Sequence, residues 1–202
     1  MHLLRQRRFA LLLAGLAVNA IGSWTSLIAI WGYATYRYRA GPGEVALLVA
    51  CWSGPSAVLG AFAGTPIDRF GPRRVLLACY ALASLVAGSM ALSTSLGVLV
   101  ALVTGYGVIR AVALPAADAL PPRVVEPGDL LAANAMFGVS EQLAIVIGPL
   151  AASIAIGLAG VGAAFWFDAA TYLVGVAVID ARAAGAAEVW SLRGCRCDRD
   201  WW

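Results

Sequence analysis

Two ionisable residues, Arg110 and Glu141, stand inside stretches that are otherwise apolar. A third charged feature is the run Gly64-Thr65-Pro66-Ile67-Asp68-Arg69-Phe70-Gly71-Pro72-Arg73-Arg74, where one acid sits among three arginines. A charge in hydrocarbon is costly and persists where it pairs, binds an ion or moves a proton, so these positions suit coupling and gating rather than covalent catalysis. Arg110, closing Gly105-Tyr106-Gly107-Val108-Ile109-Arg110, either snorkels to an interface about a turn away or does such work. Glu141, with Gln142 beside it, falls near mid-membrane as a candidate proton carrier, cation site or partner for Arg110. Asn19 and Asp168 are further polar intrusions, Asn19 placed to line a cavity and Asp168 to brace helix ends nearer the outer face. Trp24, Trp31 and Trp52 offer flat faces to an amphiphilic ligand, or ordinary packing. Enzyme chemistry has no foothold: His2 is the only histidine, and no nucleophile-base constellation or phosphate-cradling glycine loop is present.

The elements that hold these residues are set by composition. With 61% hydrophobic residues, 12% charged and a mean hydropathy of +0.84, a 202-residue chain has more apolar surface than a soluble fold buries, so it belongs in lipid. Apolar windows at about 9–34, 45–64, 73–92, 96–114, 130–158 and 162–180 each reach the ~20 residues of a spanning helix. Helices are required, because an open strand leaves backbone groups unpaired in lipid. Arg5, Arg7 and Arg8 followed by Val18-Asn19-Ala20 resemble a cleavable leader, but the apolar run continues to Trp31, so span 1 is read as retained. With the amino terminus in the cytoplasm, eleven arginines lie on the cytoplasmic side against Arg37 and Arg39 outside, a positive-inside arrangement. Tyr33, Tyr36 and Tyr38 then mark the outer interface. Asp129 reads as the N-cap of span 5, and three spans on each side of the 115–129 connection suggest two inverted three-helix repeats.

Smaller signals refine this. Gly71 suits a positive-φ turn, Pro72 the first position of the next helix, and the loop arginines suit anionic headgroups, whereas Asp68 asks for a specific partner. In span 5, Ala135, Ala144, Gly148-Pro149, Ala152 and Ser153 form small-residue spacing that permits close helix approach. Cys51 and Cys79 read as small hydrophobes. Cys195 and Cys197 lack further ligands for a metal, so no metal site is expected, and the modest, scattered charge of +3 does not suit nucleic acid.

The order of Gly22-Ser23-Trp24, Asp68-Arg69-Phe70-Gly71, Leu120-Pro121, Asp129-Leu130, Ala133-Asn134, Gly148-Pro149, Ala164-Phe165 and Asp168-Ala169 resembles the amino-terminal half of a major facilitator superfamily exporter, nearest in look to the enterobactin and macrolide exporter branch. The resemblance implies an all-α membrane fold of six helices, half of a twelve-helix transporter, and proton-coupled export of a drug-like or siderophore-like molecule by alternating access in the plasma (inner) membrane. It implies no cofactor, the proton gradient supplying the energy. It also implies that Gly64, Asp68, Arg69, Gly71, Arg73 and Arg74 form a gate latch against the opposite half and the fourth helix, and that Arg110 is tied to that latch or to proton movement. Ala144, Gly148, Pro149 and Ala152 fall on its exporter-type motif, and Asn19, Trp24 and Gln142 are its candidate cavity residues.

The likeness ends near Asp180, so residues 1–182 read as the membrane domain and 183–202 as an aberrant, unstructured cytoplasmic tail. Two Cys and three Trp fall within Glu188 to Trp202, as a frameshift would produce. The chain is then a half inactive alone. The competing readings are a half-size transporter that pairs with a second copy or a separate carboxy-terminal half, and a non-transporting assembly partner in the bilayer.

Overall fold

The computed structural model describes residue 3 and residues 6–192, with side chains placed for all of these except Arg8 and 181–192. Helices alone make up the regular structure of the described residues. They are α1 (Arg7–Gly32), α2 (Pro42–Leu59), α3 (Pro72–Met90), α4 (Leu96–Asp118), α5 (Leu130–Ala159) and α6 (Val161–Leu192), with a short linking helix over Gly64–Phe70. All six numbered helices are long and apolar enough to cross a membrane.

The boundaries differ from the sequence expectation in four places. The hydrophilic segment expected as a turn over 64–74 is helical from Gly64 to Phe70. The turn is confined to Gly71, whose φ of 80° is one an L-residue adopts only under strain, and Pro72 opens α3. Ile67 explains the extra helix, since one helical turn buries that side chain while Asp68 and Arg69 stay exposed. At the other end of α1 the helix widens into a π-helical turn over Tyr33–Arg37, which brings Tyr38 Oη to 2.7 Å from the Ser93 carbonyl. In α4 the helix runs through Pro115 to Asp118 rather than stopping at 114. Finally, α6 continues to Leu192, past the expected break, since Ala-rich 181–187 favours helix. The remainder of the expected tail, with Cys195 and Cys197, lies outside the described residues. Asp129 does stand at the N-cap of α5, but its side chain makes no capping bond, because its backbone is already in a 3₁₀ turn.

The packing order is that of two inverted repeats. α1 packs on α5 and α6, α4 packs on α2 and α3, and α3 packs on α6. Exchanging α1 with α4, α2 with α5 and α3 with α6 carries the α1 contacts onto those of α4 and returns the α3–α6 contact to itself, the relation expected of duplicated triplets facing opposite ways. α2 and α5 are the least buried of the six. Their outer faces carry Leu47 and Val58, and Leu131, Val146, Leu150 and Leu158, an apolar surface fit for lipid or for another helical layer.

Small residues set the closest crossings. On α5, Ala144, Gly148 and Ala152 are all buried in one stripe four residues apart, and a Cβ on Gly148 would collide with Trp24 Cβ and stand 3.1 Å from the Thr25 nitrogen of α1. Thr25 Oγ1 donates to the Gly148 carbonyl across the contact at 3.1 Å. On α4, Gly107 meets α2 in the same manner, with the Cys51 and Trp52 carbonyls 2.5 and 3.0 Å from a Cβ built there. Gly148→Val is therefore expected to cost about 1–3 kcal/mol through overpacking. Gly157→Ala on the same helix, with nothing within 4 Å of the new methyl, should hold or gain up to ~1 kcal/mol. Unfolding of the purified protein in detergent, followed by circular dichroism, checks both.

Candidate functional site

Where α1, α4 and α5 diverge, a cavity of about 620 Å³ opens between them. Its walls carry Asn19, Ala20 and Ser23 from α1, Arg110 and Asp118 from α4, and Asn134, Ser140 and Glu141 from α5, with Tyr80 of α3 at the back. Asp118 and Asn134 stand close to the ends of α4 and α5 on the arginine-rich side of the bundle. Arg110 is eight residues, or ~12 Å, farther in along α4. Arg110 is thus two turns from the end of its helix, deeper than the single turn expected. The continuation of α4 through Pro115 is what deepens it.

Arg110 and Glu141 share the cavity without forming the ion pair that is one of the expectations for them. Glu141 Oε1 instead accepts from Trp24 Nε1 at 3.2 Å. The Arg110 guanidinium carbon lies 4.4 Å from the centre of the Trp52 ring, a cation-π contact. The two indoles stand 6.0 Å apart at 59°, so acid and base are held by neighbouring aromatic rings from α1 and α2. This arrangement anchors both charges while leaving them open to a molecule in the cavity. Asn19 lies in the cavity wall, and its Nδ2, like Trp52 Nε1, is buried with no hydrogen-bond partner among the described residues. Gln142 is exposed and lies outside the cavity lining.

Asp168 is the largest departure from the sequence reading. It is fully buried rather than a brace at helix ends. Its Oδ2 accepts from Ser26 Oγ of α1 at 2.6 Å and from Tyr106 Oη of α4 at 3.0 Å. Tyr106 Oη is 2.8 Å from Tyr172 Oη, which is 3.2 Å from Ser23 Oγ. Gly22 makes room for this junction, since a Cβ there would overlap Thr171 Oγ1 and fall 2.7 Å from Asp168 Oδ1. Sequence reasoning misses Ser26, Tyr106, Thr171 and Tyr172. The usable signal is spacing: Ser23 and Ser26 share one face of α1, Asp168, Thr171 and Tyr172 one face of α6, and Tyr106 lies one turn from Arg110.

The arginine-rich end is simpler. Arg73 Nη2 bonds Asp180 Oδ1 at 3.1 Å and Arg73 Nε donates to the Ile179 carbonyl at 3.4 Å, tying the start of α3 to α6. Arg69 stacks on Phe70, with 5.2 Å to the ring centre. Asp68 and Arg74 are exposed, and Asp68 makes no hydrogen bond or ion pair among the described residues. Gly64 and Gly71 frame the linking helix. The fourth-helix partner expected for Asp68 is not engaged, because Arg110 is held deep in the bundle against Trp52.

Six membrane-crossing helices in two inverted triplets around a polar cavity define a polytopic α-helical membrane protein of the secondary-transporter type. The family model for the Major Facilitator Superfamily matches residues 12–187, and the chain belongs to that superfamily, whose members are transporters and not enzymes. The match runs seven residues past Asp180, where the likeness is expected to end. The chain is 20% identical over 174 residues to the "Uncharacterized MFS-type transporter YfiS" of Bacillus subtilis (strain 168), an alignment covering 86% of this chain. It spans 42% of the length of that relative.

Removing one donor from the buried carboxylate should cost more than breaking the exposed ion pair. Ser26→Ala is expected to lower stability by about 1–2 kcal/mol, high for a bond between membrane helices because the acceptor is a carboxylate. Asp180→Asn, whose side chain is 73% exposed, should change it by less than ~1 kcal/mol. Thermal unfolding in detergent separates the two.

Proposed function

We propose that this chain is the amino-terminal half of a secondary transporter that exports a small amphipathic molecule in exchange for protons. The observation that carries the reading is the cavity itself, where Arg110, Glu141 and Asn19 converge between membrane-length helices. Each charge held there is expensive in a membrane, and each is aimed into a space large enough for a drug-sized ligand. Leu16, Leu114 and Phe137 supply apolar wall beside the charges, which favours an amphipathic substrate over a sugar or an inorganic ion, while Trp24 and Trp52 hold the charges from outside the lining.

In this reading the arginine-rich end is cytoplasmic, the membrane is the plasma membrane, and the cavity walls extend toward the cytoplasm. The apolar outer faces of α2 and α5 pack against a carboxy-terminal six-helix half that completes the cavity. Asp68, with Arg69 and Arg74, stands free at the cytoplasmic rim to latch onto that half when the path closes, while Arg73 is already committed to Asp180. The small-residue stripe Ala144, Gly148 and Ala152, with Pro149, keeps α5 tight on α1 and favours export over import by restricting how far the outer end opens. Glu141 and Arg110 alternate between substrate and their aromatic neighbours as the transporter changes face.

The test uses everted membrane vesicles carrying the complete transporter, with ethidium as the probe and an acid interior. Ethidium should accumulate with the gradient and stop when the gradient is collapsed. Glu141→Gln should reduce that uptake by about 5- to 150-fold, the range of a typical coupling energy. Uptake that ignores the gradient and survives both Glu141→Gln and Asp68→Asn would overturn the proposal and leave a non-transporting membrane partner.

A further inference from the structure

We infer that Asp168 is a reversible proton-binding site, filled from the cavity through the hydroxyl chain Ser23, Tyr172 and Tyr106. The inference rests on the transporter reading above for its physiological use, but its chemistry stands on geometry alone. Asp168 is fully buried, and no Arg or other cation lies within ion-pair distance of it among the described residues. Hydrogen bonds reach it unevenly. Oδ2 has two donors, Ser26 at 2.6 Å and Tyr106 at 3.0 Å, whereas Oδ1 has only Thr171 Oγ1 at 3.5 Å, and that hydroxyl gives its proton to the Asp168 carbonyl at 2.7 Å. Oδ1 is thus left with lone pairs that no strong donor occupies, and the carboxylate has room to bind a proton.

The path for that proton is continuous. Tyr106 Oη lies 3.0 Å from Oδ2, Tyr172 Oη lies 2.8 Å from Tyr106 Oη, and Ser23 Oγ lies 3.2 Å from Tyr172 Oη. Ser23 is part of the cavity wall, beside Asn19, Tyr80 and Arg110. Each hydroxyl hands its proton forward and receives one from behind. A cavity water gives a proton to Ser23, Ser23 gives its own to Tyr172, Tyr172 to Tyr106, and Tyr106 to Oδ2. The net result is one proton moved from the cavity to Asp168, with every hydroxyl restored and hydroxide left in the cavity water.

Protonation changes what Asp168 can hold together. As a carboxylate it draws Ser26 of α1 and Tyr106 of α4 onto α6, and as a neutral acid it accepts those bonds more weakly. The junction joins both inverted repeats, so its tightness is sensed by α1 and α4 at once. The other titratable or charged groups around it are Tyr106 and Arg110 from α4, Tyr172 on α6 itself and Tyr80 from α3, whose ring lies 5.2 Å from that of Tyr172. Glu141 of α5 stands across the cavity, and α1 presents only the hydroxyls of Ser23 and Ser26.

Infrared spectroscopy of the purified full chain in lipid tests this without any transport assay. A carboxylic-acid C=O band should grow as pH falls and be lost in Asp168→Asn. In Tyr106→Phe the band should remain, but its shift on transfer to D₂O should slow, because the path from the cavity is cut. Absence of any acid band that Asp168→Asn removes would overturn the proton site, and native-rate exchange in Tyr106→Phe would overturn the path. If the band and its path hold while ethidium uptake ignores the pH gradient, the proposed function fails and the proton site stands.

Discussion

The Glu141 anchor and the Asp168 junction both depend on how closely α1 can approach its two neighbours. Gly148 lets α1 lie against α5 with Trp24 Cβ where a side chain would otherwise be, and Gly22 lets it lie against α6 over Thr171 and Asp168. Neither crossing has a hydrophobic driving force in lipid, so contact area and hydrogen bonds must hold it, and both require the missing side chains. From the first crossing comes the Trp24 to Glu141 bond, and from the second come the Ser23 and Ser26 bonds to the Asp168 junction. α1 is therefore the axis on which the two polar centres are hung, one facing the cavity and one behind its wall.

The inverted pairing of the triplets explains why the charges are arranged as they are. α4 occupies in one triplet the place α1 occupies in the other, and it too approaches its peripheral partner through a glycine, Gly107 against Trp52. That contact sets the Trp52 ring under Arg110. Arg110 and Glu141 thus each rest on an indole across the same cavity. A direct ion pair would neutralise both and close the space between them. Held by the Trp24 N–H and the Trp52 ring face, they keep the cavity open and charged, and Asn19 Nδ2 and Trp52 Nε1 have no hydrogen-bond partner among the described residues.

Much of this is legible in the amino-acid chain itself. The six apolar runs dictate the helices, since lipid leaves no alternative for satisfying backbone groups, and Gly71-Pro72 marks the turn before α3. The small-residue stripe of α5 is readable from spacing, and Asn19 stands out by its polarity in an apolar run. The departures share a physical cause. Pro115 reads as a helix end, but Pro is tolerated inside membrane helices, and the longer α4 moves Arg110 inward. For Asp168, distance from a helix end says nothing about which neighbours cover the side chain. The hydroxyls of Tyr106 and Tyr172, each unremarkable alone in an apolar run, gain meaning only when α4 and α6 are brought together around α1. For Gly64–Phe70, polarity suggests a loop, whereas one buried side chain, Ile67, is enough to make it a helix.

The chain belongs to the Major Facilitator Superfamily and spans 42% of the length of its Bacillus subtilis relative. The reach of the cavity from the arginine-rich end to the middle of the bundle can be tested on the chain as it stands. Ala20 lies in its wall, thirteen residues or ~20 Å along α1 from Arg7. With Cys51, Cys79, Cys195 and Cys197 all replaced by alanine, Ala20→Cys should react with a small, charged, membrane-impermeant thiol reagent applied to everted vesicles and stay unreacted when the reagent is applied to intact cells. No reaction from either side, or reaction only from outside, would contradict the account.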